Sequence, residues 1–220
     1  MSLLVKICGL KTPETLDAGA DMVGFVFFPA SPRHIGYEAA RVLGRRVAGR
    51  AKKVALSVDA SDDDLARMIE ALQPDLLQLH GVETTDRVVV VRTRFGIPVM
   101  KVLPIAERAD LSPIGLYAKV ADRLLFDARA PRDATRPGGL GKPFDWTLLK
   151  GINPGVPHML SGGLHAGNVA EALRITRAPG VDVSSGVERA PGEKDVEKIR
   201  AFVKAAREAA HEFNSVASSA

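Results

Sequence analysis

Apolar runs of about four to eight residues recur along the chain, each closing on a small or polar residue. The first four are "LLVKIC" (3–8), "DMVGFVFF" (21–28), "KKVALSV" (52–58) and "DLLQLH" (75–80). "PVMKVL" (98–103), "RLLFDA" (123–128), "PHMLSG" (157–162) and "GVDVSSG" (180–186) complete the set. Nearly continuous hydrophobicity and a high valine content predict strands buried on both faces, as in a parallel sheet.

Helical spacing fills the intervals. In "SDDDLARMIEAL" (61–72), Leu65, Met68, Ile69 and Leu72 share one face, Ser61 or Asp62 can cap the start, and Asp63 and Asp64 suit its positive end. "TPETLDAGA" offers Thr12 as a cap and Pro13 at the first helical position. "GNVAEALRITR" and "EKDVEKIRAFVKAAREAAHEF" supply the last two helices, whereas Pro113 and Gly115 interrupt "ERADLSPIGLYAK" (107–119). Eight strands alternating with helices predict a single-domain α/β fold, a (β/α)8 TIM barrel over residues 1–213, with "NSVASSA" (214–220) as a flexible tail. A doubly wound open sheet is the competing architecture.

Composition narrows the function classes. The 220 residues carry a net charge of only +4, and the densest basic run, "RVLGRRVAGRAKK" (41–53), has the interleaving of a solvated helix face rather than a polyanion site, so no nucleic-acid partner is expected. A single cysteine excludes an internal disulfide framework and suits a reducing compartment. No apolar run approaches the roughly 18 residues that span a bilayer, and the amino terminus lacks the flanks of a secretion signal. A cytoplasmic protein with no membrane partner is the expectation.

In a barrel of this kind, binding and catalytic groups sit at the carboxyl ends of the strands. Polar residues interrupting the apolar runs fall there: Cys8 on the first strand, Gln78 and His80 on the fourth, Asp127 on the sixth, and Asp182, Ser184 and Ser185 on the eighth. "LSGGL" (160–164) and "DVSSGVE" (182–188) bring glycines and backbone amides to adjacent strand ends, with a short helix start after Gly186, a combination suited to a phosphate. The glycine- and proline-rich stretch 128–145 is long enough to cover a site. Position alone leaves Asp127 divided between acid and loop brace, and leaves Cys8 closer to a packed core thiol than to a reactive one. Residues two apart on a strand share a face, and whether the Lys6 ammonium assists Cys8 stays open.

"KICGL", "FFPASPRHI", "LLQLHG", "LLFDA", "GGLGKPFDW", "LSGGLHAGNV" and "DVSSGVE", in that order, resemble the phosphoribosylanthranilate isomerase family from residue 4 to about residue 200. The resemblance implies an Amadori rearrangement of N-(5-phosphoribosyl)anthranilate without cofactor or metal, with Cys8 as general base and Asp127 as general acid. It further implies that Arg33 meets the anthranilate carboxylate and that Gln78 and His80 contact substrate. Gly162, Gly163, Ser184, Ser185 and Gly186 hold the phosphate on the same grounds, and Asn168 and Asp182 orient the site. Leu140 departs from the small hydroxyl residue expected at its position. The partner implied is a small phosphoribosyl molecule, and the chain is either a monomer or a homodimer. Two other readings compete: a histidine-pathway-type sugar-phosphate isomerase, which carries a carboxylate where Cys8 stands, and a barrel that binds sugar phosphate without turnover.

Overall fold

The computed structural model describes residues 3–131, 134, 138, 141 and 143–217, with side chains as far as residue 212. Eight parallel strands close into a barrel in sequence order: β1 (Leu4–Cys8), β2 (Met22–Val26), β3 (Lys52–Ser57), β4 (Leu76–Leu79), β5 (Val99–Ile105), β6 (Arg123–Ala128), β7 (His158–Leu160) and β8 (Gly180–Val183). β1 pairs with both β2 and β8, with Lys6 opposite Met22 on one side and Asp182 on the other. All eight predicted strands are present, and the open sheet is excluded by this closure.

Helices pack outside: α1 (Pro13–Leu16), α2 (Tyr37–Val47), α3 (Asp62–Leu72), α4 (Thr85–Phe95), α5 (Ile114–Tyr117), α6 (Val169–Thr176) and α7 (Val196–Ala217). The α3 cap is Ser61, whose hydroxyl accepts from the Asp64 amide. The interrupted segment 107–119 forms a 3-10 turn, Arg108–Leu111, and a single helical turn, α5, because Pro113 cannot continue the first. Between β6 and β7 the outer layer among the described residues is the 3-10 turn Trp146–Leu149. α7 runs through Ala217, into the stretch 214–220 expected as a tail, and residues 218–220 lie outside the described residues. Eight residues of the covering stretch 128–145, Leu140 included, also lie outside them.

Alternation along the strands sorts side chains between two cores. Val5, Ile7, Val23, Phe25, Leu77, Leu79, Leu124 and Phe126 point outward and pack against the helices. Inside the barrel, Met22, Val54, Leu76, Met100, Leu125 and Met159 plug the lower part, so the barrel is filled rather than hollow and can hold a ligand only at its upper mouth. No helix of the described residues is long and apolar enough to cross a membrane.

Candidate active site

Parallel strands deliver all their carboxyl ends to one mouth. There a cavity of about 390 Å³ is lined by Cys8, Arg33, Gln78, His80, Asp127 and Asp182, together with Gly162, Gly163, Ser184 and Ser185. Gly186 and Asn168 stand behind this wall. Asn168 donates to the Gly163 carbonyl at 3.0 Å and accepts from the His165 amide at 2.8 Å, which fixes the turn carrying the two glycines. Gly186 lies inside a 3-10 turn, Ser185–Val187, that opens before the helix start expected after it.

On one side of the cavity, Asp127 is almost fully buried and sits one residue from the end of β6. Its Oδ2 is 3.3 Å from His80 Nε2, and its Oδ1 accepts from the Ala128 amide at 2.9 Å. His80 Nδ1 in turn lies 3.5 Å from Gln78 Nε2. Gln78 lines the cavity, and its Oε1 is buried without a hydrogen-bond partner among the described residues. The covering segment returns at Gly138, where a Cβ would fall 2.7 Å from Asp127 Oδ2, so its backbone packs directly on the carboxylate.

Cys8 lies buried in the same mouth at the end of β1. Two residues earlier on the same face, Lys6 is fully buried and its Nζ donates to Asp182 Oδ1 at 2.8 Å. Burial opposes the Lys6 ammonium, but Asp182 and then Cys8 outweigh it and hold its pKa above the ordinary lysine value. Burial pushes the Cys8 thiol up, against the opposing pull of Lys6 and Lys194. Gly24 on β2 makes room for this pair: a Cβ there would lie 3.0 Å from Cys8 Sγ and 3.2 Å from Lys6 Nζ.

Arg33 is buried rather than on the surface. It is 4% exposed and clamped by Glu188, Nε to Oε1 at 2.7 Å and a terminal nitrogen to Oε2 at 2.8 Å, the bidentate geometry a guanidinium favours. Lys194 adds a second cation to the same carboxylate, with Nζ 2.8 Å from Glu188 Oε1. Burial opposes ionisation of Glu188, yet Arg33 and Lys194 hold its carboxyl below the usual range. Lys194 also donates to the Ser184 carbonyl at 2.8 Å and hydroxyl at 3.2 Å, while the Ser184 hydroxyl donates to the Cys8 carbonyl at 3.1 Å. That hydroxyl is thus spent tying the end of β8 to β1. Val26, Phe28, Leu56 and Val58 form an apolar wall beside Cys8.

A family model described as N-(5'phosphoribosyl)anthranilate (PRA) isomerase matches residues 5–205. The chain belongs to this family. It is 66% identical over 211 residues to the N-(5'-phosphoribosyl)anthranilate isomerase of Bradyrhizobium diazoefficiens, covering 94% of this chain and 95% of that protein. The enzyme of that name from Rhodopseudomonas palustris strain HaA2 is 62% identical, with 94% and 97% covered. Among solved structures, phosphoribosyl anthranilate isomerase from Thermotoga maritima superposes with a TM-score of 0.84 at 33% identity, covering 94% of this chain and 99% of that one. A phosphoribosyl anthranilate isomerase in complex with reduced 1-(o-carboxyphenylamino)-1-deoxyribulose 5-phosphate gives 0.79 at 31% identity, with 94% and 99% covered.

Within this family member, sequence reasoning missed Gly24, Glu188, Lys194 and the apolar wall, and left Lys6 undecided. Glu188 and Lys6 stood inside quoted motifs, and a signal was available for Lys6. A lysine in an apolar strand, in phase with an inward-facing Cys8, must find a buried carboxylate, and Asp182 is the inward residue of the strand that closes the barrel against β1.

Proposed function

We propose that the protein is a phosphoribosylanthranilate isomerase of tryptophan biosynthesis, converting N-(5-phosphoribosyl)anthranilate to 1-(2-carboxyphenylamino)-1-deoxyribulose 5-phosphate by general acid and base catalysis. The observation carrying this reading is that Cys8 and Asp127, 119 positions apart in the chain, line one cavity sized for a single small molecule. Asp127 gives its proton to the ribose ring oxygen, and the C1–O bond breaks to an open-chain iminium ion. The positive nitrogen acidifies the proton on C2. Cys8, as thiolate, takes that proton, and the electron pair moves to the nitrogen, leaving an enolamine. Gain of a proton at C1 and loss of one from the C2 hydroxyl give the ketone, and proton exchange with water returns Cys8 and Asp127 to their starting states.

The remaining wall residues suit the rest of this substrate. The apolar wall of Val26, Phe28, Leu56 and Val58 fits an aromatic ring, and Arg33, held flat by Glu188, meets the ring's carboxylate. Gln78 Oε1 accepts from a sugar hydroxyl. Backbone amides at Gly162, Gly163, Ser184, Ser185 and Gly186 hold the phosphate, with Gly162 at φ +89° on a backbone that a side chain would strain. Asn168 and Asp182 orient these groups. The chain works in the cytoplasm, as a monomer or a homodimer.

Loss of anthranilate fluorescence on mixing the substrate with purified protein tests the proposal. Cys8→Ala and Asp127→Asn should each lower kcat by about 10²–10⁴ with KM changed only a few-fold, because proton-transfer partners act on the barrier. Wild-type kcat in either variant overturns that residue's role, and no turnover by the unsubstituted chain overturns the reading itself.

A further inference from the structure

Two buried lysines surround the one cysteine, and the proton transfers above use neither. Lys6 Nζ and Cys8 Sγ lie 3.2 and 3.0 Å from the point where a Cβ on Gly24 would sit. Those two legs put ammonium and sulfur within about 6 Å of each other, the range in which one charge governs the other's protonation. Lys194 reaches Cys8 through the Ser184 hydroxyl, which it contacts at 3.2 Å and which is bonded to the Cys8 carbonyl at 3.1 Å. Neither lysine is where solvation would put it: Lys6 is wholly buried and the Lys194 side chain is 2% exposed.

Their carboxylate partners do not account for both charges equally. Asp182 serves Lys6 at 2.8 Å. Glu188 is shared between Lys194 and the bidentate Arg33, and burial pulls Lys194 down to about 8 despite the opposing pull of Glu188 and Cys8. An anion at sulfur would supply the compensation that a shared carboxylate does not.

We propose that Lys6 and Lys194, reaching Cys8 from the barrel interior and from the β8 side, are the counter-charges that allow this thiol to act as a thiolate. They are positioning residues: both act through Cys8. The inference rests on the reading of Cys8 as the base. The other groups facing the sulfur are accounted for. β8 presents Asp182, already paired with Lys6. β9 (Glu188–Ala190) presents Glu188 behind Lys194, itself on β10 (Glu193–Lys194), and Arg33 follows β2. Asp127 and His80 stand across the cavity, and β2 and β3 offer Gly24, Val26 and Leu56.

Because Cys8 is the sole cysteine, alkylation of the full-length protein by iodoacetamide, followed by intact mass against pH, reads its thiolate directly. The variants are Lys6→Met, the charge-neutral double Lys6→Met/Asp182→Asn, which leaves no unpaired carboxylate, and Lys194→Met. Lys6→Met and Lys194→Met should each move the alkylation profile up by about one pH unit or more and slow the reaction about tenfold near neutrality, the effect of removing an opposite charge at this range, and the double variant should move it up by less, because it also removes the Asp182 carboxylate, which raises the thiol. kcat should fall in parallel with KM little changed, and Lys6→Arg and Lys194→Arg should keep most of the wild-type profile. A variant that unfolds cooperatively like the wild type yet alkylates on the wild-type profile overturns the proposal, even if its turnover is lost. Failure of the underlying reading looks different: Cys8→Ala would then keep its turnover, whatever the lysines do to alkylation.

Discussion

Replacing Glu188 by glutamine tests the electrostatic frame of the site. The carboxylate receives three charged contacts, two from Arg33 at 2.7 and 2.8 Å and one from Lys194 at 2.8 Å, and all three side chains are 2–5% exposed. Water therefore screens these contacts little, and removing one member leaves two cations buried without their shared partner, a loss of about 3–5 kcal/mol. Glutamine keeps one acceptor oxygen but turns an amide donor toward a guanidinium or an ammonium, so about 3 kcal/mol is expected. The assay is urea unfolding followed through the fluorescence of Trp146, the only tryptophan, which is buried against the barrel. The midpoint should fall at an unchanged denaturant slope. The acid dependence gives an independent check. Burial works against the Glu188 carboxylate, but Arg33 and Lys194 prevail and its folded pKa lies below the ordinary 4.5. Its contribution is therefore complete above that value and is lost as pH falls through the folded one. The difference between wild type and variant should be constant from neutrality to about pH 5 and shrink in stronger acid. A loss under about 1 kcal/mol at neutral pH, or a difference that persists undiminished into strong acid, refutes the reasoning.

Gly24→Ala should place a methyl 3.0 Å from Cys8 Sγ and 3.1 Å from its Cα, a contact the rigid β1 backbone cannot absorb without moving the thiol. kcat should fall about tenfold or more while urea unfolding shows a loss of about 1–3 kcal/mol; unchanged kcat would mean the sulfur is not positioned by this seam. Gly186→Ala should force a Cβ into the Leu164 carbonyl and part the two loops proposed to hold the phosphate. Titration with a phosphate-bearing product analogue should show about tenfold weaker binding or more, and an affinity equal to wild type would remove Gly186 from that role.

The apolar runs determined the strands, because a strand buried on both faces must be apolar almost throughout, and their alternation with helices determined the class of fold. The strand ends then placed Cys8, Gln78, His80 and Asp127 at one mouth without any coordinates. Interruptions within helices were legible too: Pro113 split its segment as its missing amide requires. "NSVASSA" is polar enough to read as frayed, and α7 continues into it as far as Ala217.

Only closure of the barrel decided the charge pairing. Lys6 and Asp182 are 176 positions apart, and Arg33 and Glu188 are 155 apart, yet each pair meets within hydrogen-bonding distance. Periodicity tells which face of a strand a residue occupies, because that follows from local backbone geometry. Which residue stands opposite depends on how the first strand registers against the last, a property of the closed ring that no local stretch of sequence contains.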